Sequence, residues 1–187
     1  IRMNIHKKDV GIAVIISILI AVLVIPIINV IGVPPLLEPF NVLGISIGLF
    51  ILTVGGFLFL EILSNWRAIL RQTAKFILIG GLNTFLDLAV LSILIALSGI
   101  VSGPGFSFFK GISFLAAVPN SYFWNKYWTF EAKGSTNQRG LEFIQFVVIS
   151  TLGFFINVGA ASFVVNVIGP IGDISTTIWA YIGAITA

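Results

Sequence analysis

Asp87 is a carboxylate in the middle of a long apolar run, and it is the residue of this sequence best placed for chemistry. It lies about halfway along residues 76–97, and Asn83 lies one helical turn earlier on the same face. In a membrane-spanning helix, a charge at this depth costs at least ~2.5 kcal/mol, so such carboxylates are usually functional and paired. Lys110 is the matching cation, because the two depths differ by roughly 6 Å and a lysine stem spans that distance. The pair has two interpretations of equal weight: a site for a charged head group or a proton, and an ion pair that locks two helices.

A second group of polar residues lies at the end of the fourth apolar run. Asn120, Asn125 and Lys126 occur among the Trp and Tyr residues of the segment 120–130. Trp and Tyr anchor helices at membrane interfaces and Lys126 can snorkel to the head groups, so anchoring explains most of the segment. Anchoring does not require two Asn residues, however. Amide donors beside a cation favour a second interpretation, a site for a lipid phosphate.

Three basic residues, Arg67, Arg71 and Lys75, are spaced four apart and make a cationic stripe on a predicted helix. Apolar residues occupy the other side of the same segment. This pattern indicates a helix at the membrane interface, attracted to anionic lipid by about 1 kcal/mol per charge. The alternative is that the three cations merely set the orientation of the third span. Glu61 is close enough in sequence to pair with this cluster.

Composition identifies what surrounds these residues. Of the 187 residues, 58% are hydrophobic and 9% are charged, whereas soluble domains carry about 25% charged residues. So little charge cannot cover a surface in contact with water, so lipid must surround the chain and a soluble enzyme is excluded. The net charge of +3 does not indicate nucleic acid, because the basic residues form short clusters between apolar runs. With no Cys and one His, we expect no metal site and no cofactor.

The apolar runs predict membrane-spanning helices, each of which needs about 20 residues. The six runs are Val10–Ile31, Val42–Leu63, Phe76–Leu97, Phe106–Trp124, Phe143–Val167 and Ile174–Ala187. The first is longer than the apolar part of a signal peptide and no A-x-A site follows it, so we expect it to be retained. The last would be about 21 Å long against a ~30 Å core, so we expect the chain to be incomplete at this end. The predicted fold is an all-α polytopic membrane bundle of about six transmembrane helices.

Basic residues alternate between successive connections. They occur before the first run, after the second and after the fourth, and the other three connections contain none (Arg2, Lys7 and Lys8; Arg67, Arg71 and Lys75; Lys126, Lys133 and Arg139). By the positive-inside rule, the N-terminus and both basic connections are cytoplasmic. The predicted location is the cytoplasmic membrane.

Two units are expected: an N-terminal two-helix hairpin over 1–65 and a four-helix domain over 66–187. Within the second, the third and fifth runs resemble each other, and Asp87 aligns with Asn157. This favours a parallel repeat of two hairpins, as some transporters have; the alternative is a chance match of two apolar helices. Together with Asn83, Lys110 and Asn120, this pair could form a polar stripe between the leaflets.

The polar residues also match a family pattern. It comprises Lys75, Gly80, Asn83, Thr84 and Asp87 in the third run, Lys110, Ser113, Asn120, Phe123 and Asn125 in the fourth, and then Lys126 and Trp128-Thr129-Phe130. With Arg139, Glu142 and Asn157 in the return helix, this pattern resembles the GtrA-like family from about Arg71 to Ala187. The first two runs lie outside the resemblance. The second Asn/aromatic/basic segment that normally ends the family's fourth helix is missing.

The resemblance implies a function in cell-surface polysaccharide synthesis without catalysis. Family members flip polyprenyl-phosphate-linked sugars, or serve as the membrane partner of a polyprenyl-phosphate glycosyltransferase, here one of family 2 type. Membrane lipid and a second copy of the chain are further expected partners. By resemblance, five residues would line the lipid-phosphate path: Asp87, Lys110, Asn120, Asn125 and Lys126. A small proton-coupled exchanger with Asp87 as its proton site is a weaker alternative.

Overall fold

The part of the chain that the structure describes forms six α-helices. The computed structural model describes residues 6–32, 41–64, 69–130 and 136–187, and the side chains of all of these except 136–143. The helices are α1 (Lys7–Ile31), α2 (Asn41–Leu63), α3 (Ile69–Ser98), α4 (Gly103–Trp124), α5 (Thr136–Ser162) and α6 (Thr176–Thr186). The described ranges contain no strand, so the predicted all-α bundle is confirmed.

Two helices end in a π-helical turn, in which a backbone N–H donates to the carbonyl oxygen five residues earlier. The Trp128 turn (Asn125–Thr129) extends α4, and the Asn166 turn (Phe163–Ile168) extends α5. Phe130 N donates to Asn125 O at 2.9 Å, and Gly169 N donates to Val164 O at 3.2 Å. The two turns lie at opposite ends of the bundle, which we name the Trp128 end and the Asn166 end.

Within the described ranges, four helices are long and apolar enough to cross a membrane, by length and composition. They are α1, α2, α3 and the stretch Ile144–Ile168, which joins α5 to the Asn166 turn. The fourth predicted span, α4, has 22 residues but falls outside this group, because Lys110 and several Ser, Gly and Asn residues interrupt it. The sixth, α6, has 11 residues. Ser175 caps it by accepting a hydrogen bond from Ile178 N at 3.3 Å.

The distribution of side chains is the reverse of a soluble protein. Large apolar residues such as Leu97 and Leu52 are 82% and 70% exposed, whereas Lys110 and Glu61 are fully buried. Helix α2 is largely exposed along its length and buries Ser46, Phe57 and Glu61. Such a surface is stable only in lipid, so this is an integral membrane protein.

The apolar core has two parts. One lies at the Asn166 end, where α1, α3, α4, α5 and α6 meet around Phe106 and Leu91. The other lies at the Trp128 end, where α1, α2 and α3 surround Trp128. A Cβ on Gly183 would lie 2.5 Å from Val165 Cγ2 and 3.2 Å from Ala161 O, so this glycine is what allows α6 to approach α5 closely.

The N-terminal hairpin packs directly on the rest of the bundle. Helix α1 contacts α3 as extensively as α4 does, and α2 also packs on α3. Ile20 of α1 reaches Gly81 in the middle of α3. The division into units at residues 65 and 66 stays a prediction.

The predicted repeat of two hairpins has a counterpart in two hydroxyl contacts. Ser92 and Ser162 are separated as Asp87 and Asn157 are. Ser92 Oγ lies 2.5 Å from Tyr181 OH on α6, and Ser162 Oγ donates to Ser107 Oγ of α4 at 2.7 Å. Each serine therefore contacts a helix of the other hairpin. The charges are not repeated, because Ala180 and Gly183 stand where the first hairpin has Lys110 and Ser113.

Candidate functional site

The predicted ion pair between Asp87 and Lys110 is present. Lys110 Nζ bonds Asp87 Oδ2, and Ser113 Oγ donates to Asp87 Oδ1. Lys110 and Ser113 are three residues apart, so both project from one face of α4 towards α3. Both carboxylate oxygens are thus engaged. Although Ser113 belongs to the family pattern, sequence reasoning gave it no role; its spacing from Lys110 was the available signal.

Burial makes this pair costly to break. The Lys110 side chain is fully buried, and that of Asp87 is 14% exposed. Removing one partner of a buried pair leaves an uncompensated charge, which costs about 3–5 kcal/mol. The residual exposure of the pair therefore lies on the Asp87 side chain and not on Lys110.

Two amides form a directed hydrogen-bond chain next to the ion pair. Trp124 Nε1 donates to Asn120 Oδ1 at 3.1 Å, and Asn120 Nδ2 donates to Asn83 Oδ1 at 2.7 Å. The indole N–H can only donate, so it fixes which end of the Asn120 amide faces Asn83. The Asn83 NH₂ group then has no hydrogen-bond partner among the described residues. We call this series, from Trp124 through Asn120 to Asn83, the amide chain.

Asn83 opens into a cleft between α4 and α5. The cleft has a volume of about 290 Å³. Its polar groups are Asn83, Ser121 and Ser150, and Phe114 and Phe146 form part of its apolar wall. The Asn83 amide and the Ser121 and Ser150 hydroxyls are the polar groups that this cleft offers to oxygen atoms of a phosphate or a sugar.

Lys126 lies beside the same wall. Its Nζ donates to Tyr122 OH at 2.8 Å and lies 5.1 Å from the centroid of that ring. The Tyr122 and Phe146 rings are 4.6 Å apart. Lys126 is therefore connected to the cleft through an aromatic pair.

The two remaining predicted amides are set apart from this chain. Asn125 Nδ2 donates to Ser121 O of its own helix at 3.0 Å. The Oδ1 atoms of Asn125 and Asn157 are buried and have no hydrogen-bond partner within the described ranges. Of the expected polar stripe, Asn120 therefore bonds Asn83 and Lys110 bonds Asp87. No described contact connects these two pairs to each other or to Asn157.

The expected cationic stripe is not a free surface. Lys75 is 3% exposed and its Nζ lies 2.9 Å from Asp9 Oδ1. Arg71 Nε lies 3.1 Å from Glu61 Oε1, as the proximity of Glu61 in sequence suggested. Both cations are paired because their face of α3 packs against the N-terminal hairpin. Arg67 lies outside the described residues.

Sequence reasoning missed Asp9. This carboxylate at the start of α1 is 6% exposed, and it accepts a hydrogen bond from Trp128 Nε1 at 2.9 Å as well as pairing with Lys75. A lone acidic residue beside two lysines at the edge of an apolar run resembles an ordinary surface charge. Its one signal was that a carboxylate bordering a membrane span needs a partner.

Comparison with family models confirms the resemblance. The model for the GtrA/DPMS, transmembrane domain, matches residues 75–187, starting slightly later than the predicted Arg71. Searches of curated proteins and of solved structures find no match. The matched range contains the ion pair, the amide chain, the cleft and Lys126, and it leaves α1 and α2 outside. Since it covers more than half of the sequence, this chain belongs to the GtrA/DPMS transmembrane domain family.

Proposed function

We propose that this protein binds the head group of a polyprenyl-phosphate-linked sugar and moves it across the cytoplasmic membrane during cell-surface polysaccharide synthesis. The observation that carries this proposal is the ion pair of Asp87 and Lys110 at the side of the amide chain. A buried cation and a directed amide donor within one bundle supply what an anionic, hydroxyl-rich head group loses on leaving water.

The ion pair suits temporary binding of a phosphate. Lys110 has a carboxylate counter-ion at rest, so its charge is compensated before a ligand arrives. A phosphate that contacts Lys110 would share this cation with Asp87, because complete displacement would leave the carboxylate as an uncompensated buried anion. The Asn83 NH₂ in the neighbouring cleft is available to a second oxygen of the head group.

The orientation that we propose places the Trp128 end in the cytoplasm. Lys7, Lys8 and Lys126 lie at this end, beside the paired Arg71. In the described connections at the Asn166 end, residues 99–102 and 169–175, there is no Lys or Arg, and Asp173 is present. By the positive-inside rule, the end with more Lys and Arg is the cytoplasmic one.

We propose that the chain carries out no bond chemistry of its own. Asp87, the carboxylate at the site, has both oxygens engaged by Lys110 and Ser113. The described contacts of Asp87 include no histidine or second carboxylate that could complete an acid–base pair with it. A proton-coupled exchanger built on Asp87 is the weaker alternative.

The second candidate is a scaffold that recruits a glycosyltransferase without moving lipid. It would rely on basic groups at the Trp128 end, and the pairing of Arg71 and Lys75 removes two of them from such a surface. In its favour, Phe123 and Tyr127 are 55% and 66% exposed there, with rings stacked 6.3 Å apart. A membrane-embedded partner could pack on these rings, as could lipid.

Translocation of a fluorescent polyprenyl-phosphate hexose in proteoliposomes tests the proposal. We expect Asp87→Asn and Lys110→Met each to lower the rate by about tenfold or more, equivalent to ~1.4 kcal/mol of barrier. Thr84→Val is the matched control, because Thr84 is exposed on the same helix and bonds its own backbone at Gly80 O. Wild-type rates in both site variants would overturn the site. Absence of translocation by wild type, with co-purification of a glycosyltransferase, would establish the scaffold instead.

A further inference from the structure

We propose that Asp9, on a helix outside the family domain, is a positioning residue for the cleft between α4 and α5. The proposal rests on the proposed function, because it assigns a role within the same binding site. It would make the N-terminal hairpin a part of the head-group site, although no residue of α1 or α2 lines the cleft.

Asp9 contacts the Trp128 turn directly. Asp9 Oδ1 accepts from Trp128 Nε1 at 2.9 Å, and Trp128 is 4% exposed. Lys75 Nζ contacts the same carboxylate and also donates to Trp128 O at 3.4 Å. Phe57 of α2 stacks on the indole at 6.0 Å. Both helices of the hairpin therefore hold this tryptophan from the side opposite α4.

Trp124 and Trp128 lie one helical turn apart and contact each other. The rings of Trp124 and Trp128 meet edge to face, with centroids 6.1 Å apart and planes at 73°. A rotation of Trp128 would remove the surface against which Trp124 rests. An edge-to-face aromatic contact of this geometry is favourable and can select one rotamer of Trp124 over another.

The hydrogen bonds of the amide chain all run in one direction, from Trp124 to Asn83. Trp124 Nε1 orients Asn120, and Asn120 orients Asn83 so that its NH₂ group is left for the cleft. If Trp124 turned away, the Asn120 amide could rotate by half a turn at little cost, because its two ends are alike in shape. Asn120 would then present oxygen to Asn83 Oδ1, and Asn83 would have to turn its own oxygen towards the cleft. A donor site would become an acceptor site, which repels phosphate oxygen.

The experiment separates this positioning from simple docking of the hairpin. Trp128→Phe removes the indole N–H but keeps the ion pair of Asp9 with Lys75, and Asp9→Asn keeps an acceptor for Trp128 while removing the charge. We measure the indole ¹⁵N–¹H resonances, of which the chain has four from its four Trp residues. The Trp124 resonance should shift in Asp9→Leu, which removes the acceptor of Trp128 without changing any aromatic ring. It should stay near its wild-type position in Asp9→Asn, which keeps that acceptor. The matched control is Trp179→Phe, which loses the indole donation to Val164 O at 2.9 Å and should leave the Trp124 resonance unchanged.

A double-mutant cycle then tests the effect on binding, with a polyprenyl phosphate in detergent micelles as the probe. We expect Trp128→Phe and Asn120→Ala each to weaken binding about tenfold, and the double variant to weaken it no further, since both interrupt one chain. The proposal would be overturned if the two losses of affinity multiplied in the double variant, or if the Trp124 resonance did not move. If wild type does not bind the probe, the proposed function fails, whereas the resonance shift still decides whether Asp9 and Trp128 position the amide chain.

Discussion

Ser92 and Tyr181 join α3 to α6 by a hydroxyl–hydroxyl contact of 2.5 Å within the apolar core. Ser92 Oγ also donates to Leu88 O of its own helix at 2.6 Å. With that proton engaged, the Tyr181 hydroxyl can donate to Ser92 Oγ. Both residues are buried, and a polar group left alone here has no water to replace its partner. The contact links the two hairpins of the family domain where they are otherwise apolar.

We expect Ser92→Ala and Tyr181→Phe each to destabilise the protein by about 0.5–1.5 kcal/mol, the range for hydrogen bonds between membrane helices. The double variant should lose little more than either single one, because no orphaned group remains. Reversible unfolding in mixed micelles measures all three. Additive losses would mean that the two hydroxyls act independently.

Neutralising one partner of the central ion pair should harm stability more than neutralising both. Lys110→Met leaves Asp87 as a buried anion with Ser113 as its remaining donor, and we expect a loss of about 3 kcal/mol or more. The double variant Lys110→Met with Asp87→Leu should recover most of this, because an apolar pair of similar volume suits the site. Thermal unfolding measures the order of stability of these variants. A double variant no more stable than Lys110→Met would contradict the prediction.

Gly183 should tolerate no side chain while Val165 is present. In Gly183→Ala, the new methyl group would collide with Val165 Cγ2, and overpacking of this kind costs about 1–3 kcal/mol. Adding Val165→Ala should restore stability in part, although Ala161 O remains close. Gly159→Ala is the matched control, since a Cβ there meets nothing within 4 Å. Equal losses in the two alanine variants would contradict the packing argument.

Asn166 should hold the two connections at its end of the bundle together. Its Oδ1 accepts from Gly103 N at 2.6 Å, and its Nδ2 donates to Ser107 Oγ at 3.2 Å. Gly103 has φ +73, a left-handed conformation that favours glycine. Asn166→Ala should speed hydrogen exchange of the Gly103 amide by about tenfold or more, whereas Asn166→Asp should preserve its acceptor. Unchanged exchange in the alanine variant would sink this assignment.

Much of the architecture could be predicted because lipid imposes simple demands on a sequence. The six helices follow from apolar length, and the pairing of Asp87 with Lys110 follows from the cost of a lone charge in the bilayer. The burial of Lys75 could not be predicted in this way. Its spacing from Arg71 describes one face of α3, but whether that face meets lipid or another helix depends on where α1 and α2 pack.

The direction of the amide chain was equally hidden from the sequence. Asn83 and Asn120 are far apart along the chain. The sequence is the same whichever way each amide group is turned. Trp124 fixes the orientation of the Asn120 amide, because its indole N–H can donate but cannot accept. Such a choice depends on a three-dimensional contact between α3 and α4, which no local pattern encodes.

The unequal halves of the family domain have a consequence for any anion that crosses it. Ala180 and Gly183 replace the charged and hydroxyl groups of the first hairpin, and Asn157 replaces its carboxylate. For an anion that crosses the domain as we propose, only the first hairpin therefore offers a cation and a carboxylate at these aligned positions, and the second offers uncharged groups.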